Sequence, residues 1–353
     1  MANPDVSIGQ DGKEQLSRRE INTKANLVLL DYAERSLTTL RPLIRAGKAK
    51  EVLGYVRNRP EESMHLIDSV GEHLLANIAR AHGLSARIIG EQNTYHTIEN
   101  EEPVVDIPND SLDNTSPYIR GLDILPYTVA SAYDLSRKPV GGVIVDIIGN
   151  KIYRSTTSKN TVKDVETEEI KDLFISRRTN LTDENITIAS FISEKEYFLP
   201  FSENFKAMIE KFHRKGFLYP GGGSFIYSLM ASGAVDAYVM MDEPRSEIDP
   251  GLPFLLNGGG KAVSVDPVTG RKFPYRFDPE LTAAGSVPIF LAYAQESIAD
   301  QIIELYMEGR EQKRIQDDAL RFYQGLELRP GEESKIKEFL AIARQNTNLP
   351  GVI

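Results

Sequence analysis

Asp110-Ser111-Leu112-Asp113-Asn114-Thr115 places two carboxylates three residues apart, with a hydroxyl close behind. Carboxylate and hydroxyl oxygens in one short segment suit a hard divalent cation beside an activated water. Mg²⁺ prefers oxygen ligands, takes one or two carboxylates per ion, and keeps waters and phosphate oxygens in its shell. Asp68 and Glu91 lie upstream and Glu247 far downstream, so the segment becomes the centre of an ordered acidic set. Taken singly, each of these acids reads as a solvated or helix-capping carboxylate.

The bulk composition narrows the chemistry. With 353 residues, the chain can bury two sizeable α/β cores. Its formal charge of −10 argues against a nucleic-acid backbone as partner. Cysteine is absent, which excludes disulfides, thiolate zinc sites, iron–sulfur clusters and a cysteine nucleophile. No apolar run reaches the roughly 18 residues a bilayer span needs, and the first twenty residues lack the apolar centre of a secretory signal. The expectation is a cytoplasmic protein without a membrane or nucleic-acid partner. Five histidines show no HxxxH pair and read as ordinary surface or core residues.

The elements that must position the acids follow from periodicity. Residues 1–19 read as disordered. Leu27, Leu30, Ala33, Leu37, Leu40 and Ile44 give a helix over 20–46, with Pro42 as a kink or break. A second helix over 61–82 carries Asp68, with Glu72 one turn later on the same face. Strands are expected at 86–89, 104–107, 127–133, 140–148 and 151–154, the last two joined by the Gly149-Asn150 turn. This puts Glu91, Asp110 and Asp113 in loops at the carboxyl ends of strands, where α/β proteins hold ligands. Residues 155–185 read as a polar loop with a short helix.

From Ile186 the pattern alternates. Strands are expected at 186–192, 237–241, 263–265 and 288–292, and helices at 202–214, 248–257 and 296–308. Gly221-Gly222-Gly223-Ser224 would open a further helix, its glycines allowing close backbone approach to a substrate. The triplet lacks the lysine of a P-loop and the spacing of a dinucleotide fingerprint. The tail reads as two amphipathic helices separated by Arg329-Pro330-Gly331. The organisation is then an N-terminal α+β domain (20–185), a C-terminal α/β domain (186–308) and a helical extension (309–353), with helices and strands layered in both halves.

The order and spacing of these motifs resemble the inositol monophosphatase and fructose-1,6-bisphosphatase superfamily of Mg²⁺-dependent, lithium-sensitive phosphatases. The resemblance covers roughly residues 20–308. Asp68 precedes Gly90-Glu91-Gln92 by the family's usual distance, and Asp110–Thr115 occupies the central Asp-Pro-Ile/Leu-Asp-Gly-Thr/Ser motif. Gly221–Ser224 and Gly233–Tyr238 look like the family's Gly-Ser/Thr and Gly-x-x-Asp-Ala-Tyr segments, and Glu247 falls on the last metal ligand. Glu247-Ile248-Asp249-Pro250 is closer to the bisphosphatase branch.

The resemblance implies a five-layer αβαβα fold and hydrolysis of a sugar or polyol phosphate monoester, in a protein that forms a homodimer. It implies that Glu91, Asp110, Asp113, Glu247 and the Leu112 carbonyl bind two or three Mg²⁺ ions, with Mn²⁺ as a substitute and Li⁺ as an inhibitor. Asp68 and Thr115 would position and deprotonate the attacking water, and Asn114, Gly222, Gly223, Ser224 and Arg245 would meet the substrate. Lys261 could contact a second phosphate. Gln92 replaces the family's second Glu, Ser111 its Pro, Asn114 its Gly, and Met240 the Glu that contacts inositol hydroxyls. These departures keep open a bisphosphatase acting on fructose bisphosphate or a bisphosphorylated nucleoside, and a non-catalytic phospholigand binder.

Overall fold

The computed structural model describes residues 17–56, 59–90, 94–99, 101–113, 115, 118, 120 and 126–323. Glu91, Gln92, Asn114, residues 1–16 of the segment expected to be disordered over 1–19, and the second tail helix lie outside these residues; Arg18 and Arg19 of that segment are helical.

Helix α1 (Arg18–Arg45) starts where Ser17 and Glu20 form a reciprocal capping box, and it runs through Pro42 rather than breaking there. Strands β1 (Val52–Val56) and β2 (Arg59–His65) pair as a separate hairpin. Helix α2 (Leu66–Ala81) therefore begins later than its sequence pattern suggests. The first sheet contains β3 (Ala86–Gly90), β4 (Thr94–His96), β5 (Val105–Asp113), β6 (Tyr127–Asp134), β7 (Pro139–Asp146), β8 (Lys151–Thr156), β9 (Asn160–Asp164) and β10 (Ile170–Leu173). Its order is β10-β9-β8-β7-β6-β5-β3-β4. Only β3 and β5 pair in parallel, which places the carboxyl end of β3 beside Asn109 at the acidic end of β5.

Two expectations fail in this sheet. The segment 155–185 is not a loop with a helix but carries β9 and β10, the latter at the sheet edge and mostly exposed. Edge strands lack the two-sided apolar signature that marks interior strands. Also, β5 does not end at Ile107 but continues through Asn109, Asp110, Ser111 and Asp113, every residue of it buried.

The second half contributes β11 (Thr187–Ala189), α3 (Lys195–Lys211), β12 (Phe217–Tyr219), α4 (Ile226–Ala231), β13 (Ala237–Pro244), α5 (Arg245–Ile248), α6 (Leu252–Asn257), β14 (Lys261–Val265), β15 (Lys272–Pro274), β16 (Ser286–Tyr293) and α7 (Glu296–Tyr323). The six-stranded sheet has the order β12-β11-β13-β16-β14-β15. Helix α7 shows no break at 308.

Period-two alternation assigns the layers. Ala130 and Ala132 of β6 join the core with α1 and α2, while Val129 faces the other way into a core with α4, α6, Tyr238 and Phe290. In the second sheet, Val239 and Leu291 turn from that middle core to α3 and α7. The result is α1 and α2, the large sheet, α4 and α6, the smaller sheet, then α3 and α7: the five-layer αβαβα sandwich expected from the resemblance. No helix among the described residues is long and apolar enough to cross a membrane.

Candidate metal centre

The end of β5 is built around a bulge. Asp110 lies opposite Val129 and Asp113 opposite Tyr127, so β5 spends three steps where β6 spends two. In a regular strand, residues three apart point to opposite faces. One inserted residue cancels that alternation and re-aims the side chain beyond it. Asp110 and Asp113 are thereby brought together, and Glu247 of α5 joins them. One oxygen of each carboxylate lies within 4.8 Å of the others.

The local backbone is tied down at several points. Leu112 N–H donates to Asp110 Oδ1 at 3.1 Å, and Thr115 Oγ1 donates to the Leu112 carbonyl. A carbonyl oxygen has two lone pairs, so this bond leaves Leu112 able to face a cation. Beneath the strand, Asn109 Nδ2 donates to Tyr32 Oη at 3.1 Å and to the Val129 carbonyl at 2.9 Å. These side chains are buried, so α1 and β6 hold the acidic strand from below.

The opposite wall comes from the glycine triplet. Gly223 has φ +90°, a region open to glycine at little cost. A Cβ here would collide with Asp113 Oδ1 and lie 3.1 Å from Glu247 Oε2. At Gly222 it would meet the Tyr238 hydroxyl and Phe191 Cβ, and at Gly221 the Tyr219 ring. Phe225 N–H donates to Asp113 Oδ2, and Ser224, fully buried, donates to the Glu247 carbonyl at 2.9 Å. The loop thus grips both halves of the acidic cluster. The helix that follows begins at Ile226, not at the glycines. Burial raises the pKa of the Tyr219 hydroxyl, and the Asp113 charge adds to the rise.

Glu247 is carried by a helix of only four residues, flanked by two buried acids. Glu243 accepts from Tyr238 Oη at 2.6 Å, and burial pushes its carboxyl up to about 8. Asp249 accepts from Tyr275 Oη and Thr282 Oγ1, both at 2.7 Å, and burial outweighs these bonds to push it up to about 7. Neither acid was singled out for such a role from sequence. A buried carboxylate carries no local signal, because its burial depends on packing: Asp249 takes its partners from Tyr275 and Thr282, 26 and 33 residues on, and Glu243 is covered only once its own strand is packed.

Asp68 is buried on the first turn of α2, so it is not part of a solvated stripe. Its Oδ2 accepts the His65 N–H at 3.0 Å as a helix cap. It stands outside the three-carboxylate cluster, although Gly71, one turn on, packs directly against Ser111. Glu72 is also buried and lies against Gly90 so closely that a Cβ there would overlap its Oε1. Arg245 stacks on Tyr275, 4.6 Å from the ring centroid, and donates to the Arg276 carbonyl at 3.3 Å. Lys261 is paired with Glu296 at 3.0 Å. Met240 is buried, and its sulfur accepts the Phe191 N–H at 3.1 Å.

The donor set is all oxygen, and three clustered carboxylates repel one another unless a cation compensates them. That chemistry fits Mg²⁺ or Mn²⁺ and offers no soft ligand.

No family model and no curated protein matches the sequence. Solved structures do. The extragenic suppressor protein SuhB from Bartonella henselae superposes with a TM-score of 0.60 at 15% identity, covering 80% of this chain and 98% of that one. An inositol monophosphatase from Anabaena gives 0.55 at 16% identity, covering 82% and 96%. The chain has the inositol monophosphatase fold. A third match, SaIMPase-II bound to inositol monophosphate, gives 0.53 at 17% identity, covering 83% and 99%. The inositol monophosphatase fold thus spans nearly the whole of each of these proteins and leaves about a fifth of the present chain outside it.

Proposed function

We propose that this chain is a Mg²⁺-dependent phosphatase acting on a small sugar or polyol phosphate monoester. The carrying observation is the convergence of Asp110 and Asp113 from β5 and Glu247 from α5 onto one point. A protein using these acids as surface charges or caps has no reason to bulge β5 and clear a glycine against them.

In this reading Asp110, Asp113, Glu247 and the Leu112 carbonyl hold the cations, with Glu91 completing the set. Bound cations would lower the pKa of a water and offset charge on the phosphoryl group. Thr115 and Asp68 orient that water, Thr115 from beside Leu112 and Asp68 from the first turn of α2. Glycines 222 and 223 and Ser224 shape the wall that receives the ester, and Asn114 contacts the phosphate by resemblance, so that positioning rather than covalent chemistry does the work. A neighbour of this fold is named for its complex with inositol monophosphate, which supports a phosphorylated polyol as ligand. Met240 puts a thioether already bonded to Phe191 N–H where a carboxylate would read ring hydroxyls, and this favours an ester other than inositol phosphate. A homodimer is part of the same proposal, by resemblance.

The test is phosphate release from a panel of sugar, polyol and nucleotide phosphates with Mg²⁺. Turnover that disappears on chelation and returns with Mg²⁺ or Mn²⁺, and that Li⁺ inhibits, supports the reading. Metal titration that finds no Mg²⁺ or Mn²⁺ binding, with phosphate present, overturns it.

A further inference from the structure

Glu243 sits at the end of β13 and is 2% exposed, yet it is no part of the three-carboxylate cluster. Its contacts lead back to that cluster in an unbroken series. Tyr238 Oη donates to Glu243 Oε1 at 2.6 Å. The same phenol oxygen accepts the Gly223 N–H at 3.1 Å. Gly223 in turn lies against Asp113 Oδ1 and Glu247 Oε2, at a positive φ that only glycine adopts at little cost.

We propose that Glu243 is a positioning residue of the cation site: through Tyr238 it fixes Gly223, and through Gly223 it sets the separation of the Asp113 and Glu247 carboxylates. The inference rests on the cation-binding reading of that cluster.

The physical argument is one of orientation. A phenol oxygen can accept or donate, and its proton rotates to suit its surroundings. An acceptor at Glu243 takes the proton, so the lone pairs of Tyr238 face the Gly223 N–H. Without that acceptor, the buried phenol loses its preferred direction and Gly223 loses its fixed partner. Hydrogen bonds in a dry interior also polarise one another along a chain. The groups facing Glu243 are Tyr238 from its own strand, Tyr227 from α4 and Glu247 from α5. None is cationic, and burial pushes Glu243 up to about 8. At neutral pH it therefore orients Tyr238 without adding a fourth negative charge to the acids nearby. Partners that orient metal ligands typically change affinity by about 10–100-fold when removed.

The test is Mn²⁺ binding by calorimetry, alongside thermal unfolding, for the full-length protein and four variants: Glu243→Gln, Glu243→Leu, Tyr238→Phe and the double variant Glu243→Leu/Tyr238→Phe. Gln keeps an acceptor oxygen and should bind Mn²⁺ within about threefold of wild type. Leu and Phe should each weaken binding about 10-fold or more, and the double variant should be no weaker than the worse single one, because both act through one series of bonds. Folded Leu and Phe variants that bind Mn²⁺ like wild type overturn the inference and leave the cation reading intact. Wild type that binds no Mn²⁺ overturns both. If Glu243→Leu fails to fold, Tyr238→Phe, which removes one oxygen only, decides the matter.

Discussion

The two halves of the acidic cluster are held by different means. Asp110 and Asp113 project from a central strand of an eight-stranded sheet, and a backbone bulge aims them. Glu247 projects from a four-residue helix, too short to hold itself in place. Side chains fix it instead: Ser224 on its carbonyl, and the buried acids Glu243 and Asp249 anchored by tyrosines on either flank. One half of the site is therefore aimed chiefly by the sheet. The other half depends on individual hydroxyls.

The largest expected effect tests the backbone half. Asp113→Asn removes a charge from the cluster and weakens the acceptor for Phe225 N–H, while the bulge keeps the chain in place. Phosphate release should fall at least ~100-fold, the scale of losing a preorganised charged group, with a melting temperature close to wild type. A large drop in stability instead would show that this half, too, leans on its side chains.

Next comes the contact between the halves. Gly223→Ala puts a methyl onto Asp113 Oδ1 in a backbone region that alanine resists. The expected cost is about 1–3 kcal/mol of stability, read from denaturant midpoints, with activity falling more steeply than stability. Wild-type activity would mean that the halves are not in register through this residue.

A pH series sharpens the side-chain half. The folded-state pKa values of Glu243 and Asp249 are raised from 4.5 and 3.8 to about 8 and about 7. Between the unfolded and folded values the native protein binds more protons than the unfolded chain, so stability falls as pH rises. Their contribution is full below about pH 4 and is lost progressively towards pH 7 for Asp249 and pH 8 for Glu243. Wild type should lose melting temperature against Glu243→Gln and Asp249→Asn across that window. Parallel curves would remove these acids from the account.

The smallest effect is a control remote from the comparison. Lys261 pairs with Glu296 where both side chains are well exposed. Lys261→Ala should change stability by less than about 1 kcal/mol and leave phosphate release unaltered. A specific loss of activity on a bisphosphorylated substrate would return Lys261 to the binding surface.

Much of this was legible from residues alone. Asp110, Asp113 and Glu247 were recognisable because order and residue type survive even where neighbours such as Ser111 and Gly223 do not announce their geometry. What misled was polarity. Asn109, Asp110, Ser111 and Asp113 read as a loop, since buried strands are normally apolar, but here the burial belongs to a functional surface between packed layers. β9 and β10 were missed for the opposite reason, being partly or largely exposed. The bulge itself left no trace in composition, because it is a relation between two strands rather than a property of one. The burial of Glu72, Glu243 and Asp249 was hidden in the same way. Acids are read as exposed by default, and only tertiary partners reveal otherwise.

The bond from Phe225 N–H to Asp113 has a practical consequence. Residues 112 positions apart in sequence share one amide proton, so that proton exchanges with deuterated solvent when the glycine loop and the end of β5 separate. Its exchange rate is a gauge of how often the site falls open, readable without substrate or knowledge of the reaction. A cation that binds only the assembled cluster should slow that exchange by a factor of one plus the ratio of its concentration to its Kd, about 100-fold at a concentration 100 times its Kd. The protein thus carries its own ligand assay in a single backbone amide.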